Sequence, residues 1–142
     1  MNEVGSWYVL FRRERLVALS ELAPRLASLR GARIEEIDAE YAEIVIADAL
    51  TGNSAVIRIF VDTDANVLDE SRQFVREHGE RKDHDAIANA DARYAIGWEL
   101  PYSDETYNPR CIIAVALARA TDGVVYDLME DRVVWSAPLD AR

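Results

Sequence analysis

Ala42, Ile44 and Ile46 alternate with Tyr41 and Glu43, and beyond Thr51-Gly52-Asn53-Ser54 the run from Val56 to Val61 has strand character again. A period of two marks a strand with one face buried and the other toward solvent. Strands joined by so short a connection pair antiparallel, because a parallel return needs a crossover of a dozen residues or more. With a further strand over residues 33–38, the three predict a meander, and everything else must pack against it.

The remaining elements fit around that sheet. Trp7 to Phe11 is an aromatic and β-branched run that reads as a first strand covered on both faces. Leu16, Leu19, Leu22, Ala23, Leu26 and Leu29 recur at helical spacing and stop at Arg30-Gly31. Pro24 interrupts them, so this helix either kinks there or is ordered only from about Ser20. Asn66, Asp69 and Glu70 open a helix whose Leu68, Ser71, Phe74 and Val75 share a face, and His78-Gly79 closes it. A polar stretch from Glu80 to Asp91 leads to a strand from Tyr94 to Leu100 that Pro101 ends. Tyr107 to Ala120 is apolar on most sides and predicts a helix packed on the sheet, stopped by Gly123. Val124–Asp127 and Arg132–Trp135 predict a closing hairpin. The expectation is one α+β domain over residues 1–142: a largely antiparallel sheet with about three helices mostly on one face, and Ile57, Ile59, Ile113 and Leu117 buried.

Composition agrees with a single globular domain: 142 residues, half of them apolar and 30% charged, are enough for a sizeable core. The longest apolar run, Cys111 to Ala118, is far too short to cross a bilayer, and Met1-Asn2-Glu3-Val4-Gly5 lacks the features of a secretory leader. A single cysteine forms no internal disulfide, so a reducing cytoplasm is expected. Fifteen of the 16 basic residues are Arg and alanine is abundant, which suggests a bacterial genome rich in G and C.

The formal charge of −10 is unevenly placed. Residues 1–33 carry +3, 34–48 carry −6, 49–61 carry +1, 62–91 carry −5 and 92–142 carry −3. A surface of this sign repels phosphates and anionic lipid and attracts cationic partners, which argues against nucleic acid and membrane and for a basic protein.

Catalytic motifs are scarce. The six glycines are never closer than 18 residues, which excludes a phosphate-cradling loop, a dinucleotide fingerprint and a nucleophile elbow. Asp62-Thr63-Asp64-Ala65-Asn66 begins like a calcium-binding EF-hand loop, but Val67 replaces the glycine at the sixth position and Gln73 the bidentate glutamate at the twelfth. A turn and helix start explains these residues better. His78 and His84 are the only histidines; His84-Asp85 shares a dipeptide with HD-type phosphohydrolases, but further ligands are lacking. Cys111 opens an apolar helix, where a core role is expected, and Trp7, Trp98 and Trp135 fall in strands, where sheet packing is expected. No catalytic residue, cofactor or metal is therefore expected.

The segment Pro101-Tyr102-Ser103-Asp104-Glu105-Thr106-Tyr107-Asn108-Pro109 reads as a proline-bounded loop combining aromatic area with negative charge. Tyr102, Asp104, Glu105 and Tyr107, with Asp83 and Asp85 of the acidic middle, are the expected partner contacts. The layout of an acidic α+β chain ending in an Ala-rich helix (Ile112 to Gly123) and the run Val124-Val125-Tyr126-Asp127 resembles the small immunity proteins of bacterial polymorphic or secreted toxin systems. The resemblance implies a cytoplasmic inhibitor that binds and neutralises a cognate toxin, and it transfers no inhibitory residue. Two other classes remain open at this point: a small-molecule-binding domain or carboxylate-based enzyme, and an oligomerisation domain.

Overall fold

The computed structural model describes residues 4–29, 31–47, 54–78, 84–99, 104–130 and 132–137, with the backbone alone at 4, 5, 78, 99 and 104–108. These residues form one seven-stranded sheet from β1 (Val4–Phe11), β2 (Ala32–Ile37), β3 (Tyr41–Ala47), β4 (Ser54–Asp62), β5 (Ala92–Glu99), β6 (Val124–Asp127) and β7 (Arg132–Ser136). The order across the sheet is β2-β3-β4-β5-β1-β6-β7, and every neighbouring pair is antiparallel. Four α-helices accompany it: α1 (Ala23–Ala27), α2 (Asn66–His78), α3 (His84–Ala88) and α4 (Asp104–Thr121). The chain is thus α+β, with the expected β2–β3–β4 meander and β6–β7 hairpin in place.

The sheet has two covered regions on opposite faces. On one face Trp7, Val9 and Phe11 of β1 join Ile44, Ile57, Ile59, Tyr94, Ile96 and Val125 beneath α1 and α4, which contributes Ile113, Ala114, Leu117 and Ala118. On the other, Leu10, Val124 and Tyr126 form a smaller core with Phe74 and Val75 of α2 and Ala86 and Ile87 of α3. β1 is an interior strand buried on both sides, which explains its unbroken apolar run. Ile57, Ile59, Ile113 and Leu117 are fully buried.

Four local differences from the sequence reading have physical causes. The leucine-rich segment is a 3-10 turn over Leu19–Leu22 followed by the five-residue α1, because Pro24 is tolerated only in the first turn of a helix. Gly31 (φ 79°) does not cap α1, which ends at Ala27, but turns the chain into β2. The polar stretch contains α3, held by one buried side chain, Ile87, too little periodicity to read in advance. α4 begins at Asp104, so Asp104, Glu105 and Tyr107 occupy its first turn rather than a loop, and Pro109 lies inside the helix. The expected turn at 51–53 and the helix stop at Gly79 fall outside the described residues.

Gly123 follows α4 where no side chain fits: a Cβ there would sit 2.7 Å from the Leu10 carbonyl oxygen and 2.9 Å from Thr121 Oγ1. Asp122 takes the left-handed conformation (φ 53°) that ends the helix.

Candidate functional site

α2 and α3 cover the β1 and β6 side of their face, and among the described residues no helix lies above β2, β3 and β4 on it. Strand pairing places the uncovered side chains in rows. Tyr41 lies opposite Phe60, which lies opposite Ala95; Glu36 lies opposite Glu43, then Arg58, then Gly97; Arg33 lies opposite Val45, then Val56. A bulge between Ile34 and Glu36 sets this register, turning Glu36 onto the same face as Glu43.

The aromatic row is the most exposed apolar feature of the sheet. Phe60 is 47% exposed and packs against half-buried Tyr41 at 4.9 Å between ring centroids, tilted 53°. Its neighbours on β5, Ala95 and Gly97, have little or no side chain, so the surface beside Phe60 and Arg58 falls toward the backbone. Arg58 Nε approaches Glu43 Oε1 at 3.4 Å, with both side chains part-exposed. Arg33 pairs with Glu35. At the β2–β3 turn Asp38 Oδ1 accepts the backbone N–H groups of Glu40 and Tyr41, each at 2.8 Å, and so fixes a tight turn whose Glu36, Asp38 and Glu40 are all exposed.

One buried cation holds the covered half in place. Arg93 of β5 has only 6% of its side chain exposed. It donates from Nε to Asp62 Oδ2 at 3.0 Å and from Nη1 to Glu70 Oε2 of α2 at 2.5 Å, and its guanidinium lies 4.0 Å from the centre of the Tyr8 ring. Burial alone would pull its pKa down, but the Glu70 hydrogen bond and the charges of Tyr8, Glu70 and Asp62 hold it above the ordinary arginine value. Asp62 Oδ1 also accepts the Asp64 N–H at 3.1 Å, and Asn66 Nδ2 donates to Glu70 at 3.0 Å. The oxygens that imitate an EF-hand start thus build a turn and a helix entry. Among the described residues no three or more His, Cys, Asp or Glu side chains gather as a metal site.

Two small clefts lie beyond the C-terminal end of β1, about 290 and 300 Å³, both lined by Arg12 and Glu14 of the turn that follows the strand. Arg13 is engaged: its N–H donates to Asp91 Oδ1 at 2.6 Å and its guanidinium to the Thr63 carbonyl. On the α4 face Tyr94 donates its hydroxyl to the Val17 carbonyl at 2.5 Å, and burial pushes its pKa up to about 12. Trp7 and Trp98 meet edge to face at 5.2 Å with the buried Arg110 guanidinium 4.1 Å from the Trp98 ring, and Trp135 is half-buried. Cys111 is half-buried against the same core.

The expected contact residues are dispersed. Asp83 and Tyr102 lie outside the described residues. Asp85 and His84 are exposed on α3, on the α2 face, whereas the backbone of Asp104, Glu105 and Tyr107 belongs to α4, which packs on the opposite face. The structure therefore does not bring Asp85 together with the 104–107 turn. Tyr41 was legible as outward-facing, but Phe60 carried no separate signal: its exposure depends on where α2 and α3 land, not on β4 itself. No helix among the described residues is long and apolar enough to cross a membrane. Comparison with models of known families, with curated proteins and with solved structures finds no match.

Proposed function

We propose that this chain is a protein-binding module that captures and neutralises a basic protein, acting in the cytoplasm as the resemblance to bacterial immunity proteins implies. The observation that supports this reading is the Tyr41–Phe60 pair, aromatic area left open on a sheet face whose other half is closed by helices. Among the described residues, Glu35, Glu36, Asp38, Glu40 and Glu43 stand around it against Arg33 and Arg58, an acidic excess of three. An aromatic contact supplies desolvated area, and the surrounding acids steer a cationic partner and fix its orientation. The occupant is therefore a protein surface bearing Lys or Arg side chains around an apolar patch. Asp85, on α3 of the same face, adds to the acidic field, whereas α4 packs on the opposite face of the sheet.

The test is genetic. The chain is produced together with the protein encoded beside its own gene. The proposal expects the neighbouring product to arrest growth alone, to be harmless with this chain, and to co-elute with it one to one. A neighbouring product that is neither toxic nor bound overturns the immunity reading.

A further inference from the structure

The turn after β1 carries three arginines in four residues, and its geometry separates their roles. A 3-10 turn spans Arg13–Arg15 with Arg12 as its N-terminal flank, and Arg15 N–H donates to the Arg12 carbonyl at 2.8 Å. Arg12 itself is extended (φ −83°, ψ 135°) and lies outside the turn, so its side chain leaves the backbone in a direction of its own. Arg13 is held by Asp91 and Thr63. Arg12 and Arg15 both line the 290 Å³ cleft. Arg12 has one loose side-chain contact there, 4.0 Å to Glu14 with both side chains more than half exposed, and the exposed Arg15 guanidinium makes no hydrogen bond or ion pair among the described residues.

The other walls have the opposite character. Thr121 and Asp122 close the cleft with the C-terminal end of α4, where the helix dipole and last carbonyls favour a cation. Thr121 Oγ1 is spent on the Leu117 carbonyl at 2.8 Å, which leaves the Asp122 carboxylate as the charged group of that wall. Phe11 and Ala86 add apolar lining. Glu14 also lines the cleft, beside Arg12, so a simple anion would meet Glu14, Asp122 and the negative helix end, and a simple cation would meet two arginines.

We propose that this cleft binds a small zwitterion, an α-amino acid or the backbone end of a short peptide. Its carboxylate lies between Arg12 and Arg15 and its ammonium against Asp122 and the end of α4. Two guanidinium groups lining one cleft suit a planar carboxylate. The volume, at the small end of ligand sites, fits a ligand of this size. The site is independent of the docking face proposed above.

The test is an NMR titration of the isotopically labelled chain with L-alanine, with acetate and ethylamine as probes that each carry one of the two charges. The proposal expects saturable shifts at residues 11–15, 86 and 121–122, with a dissociation constant on the order of 1 mM. Arg15→Gln and Asp122→Asn each weaken binding about tenfold, as loss of a charge-assisted hydrogen bond does. Both positions are exposed, so the spectra of the variants also report that the fold is kept. Absence of saturable shifts with L-alanine overturns the proposal. So does acetate binding as tightly as L-alanine, which would make the cleft a plain anion site.

Discussion

Arg93 meets a single oxygen of Asp62 twice, with Nε at 3.0 Å and a terminal nitrogen at 2.9 Å, while its other terminal nitrogen reaches Glu70 on α2. One side chain thus ties the end of β4 to β5 and the first turns of α2 to the sheet, and it sets the boundary between the covered and the open half of that face. Replacing Arg93 by Met leaves two carboxylates facing each other without their cation. The expected loss of stability is about 2–3 kcal/mol, below the figure for a fully buried pair because Asp62 and Glu70 keep some solvent access. Glu70→Gln, which retains the Asp62 contact, costs less than about 1 kcal/mol. Urea unfolding of the two variants checks both the sizes and their order.

Gly123 is the second structural test. Gly123→Ala puts a methyl group 2.7 Å from a backbone carbonyl that cannot rotate away. Either the α4–β6 connection or the end of β1 must shift, at a cost of about 2–3 kcal/mol. Thermal unfolding of the variant reads it. Gly31→Ala is strained for a different reason, its φ of 79°, although the nearest atom to the added methyl would be 3.4 Å away.

The meander, β1 and the closing hairpin were legible because each carries its own periodicity or turn chemistry, as with Ala42, Ile44 and Ile46 facing inward on β3. α3 was not, since a five-residue helix held by Ile87 has no repeat to detect. The start of α4 was missed because Pro109 argues for a loop boundary, whereas the helix runs through it. The candidate site was half legible. The outward parity of Tyr41 follows from alternation, but the exposure of Phe60 depends on α2 being held over β5 and β1 by Arg93, a relationship between residues 23 and 31 positions apart.

Tyr94 gives a pH dependence with a definite sign. Its pKa is raised from about 10 when exposed to about 12 in the folded chain, so the fold favours the protonated phenol. That stabilisation is fully present below pH 10 and is lost as the pH rises through 12, an effect on the order of 2–3 kcal/mol. Tyr94→Phe removes this dependence together with the hydrogen bond to Val17. Stability measured against pH from 9 to about 12 falls more steeply for the native chain than for the variant.

The central claim is the proposal that the open Tyr41–Phe60 face holds a basic protein, and the most direct measurement is the rate at which this chain dissociates from the product of the neighbouring gene. Phe60→Ser removes the exposed ring at little cost to folding, since the side chain is already half in solvent. The account predicts dissociation at least about tenfold faster for Phe60→Ser, and association of the native chain slowed severalfold between about 0.05 and 0.5 M salt. Dissociation unchanged by Phe60→Ser and by Tyr41→Ala, with association indifferent to salt, would contradict it.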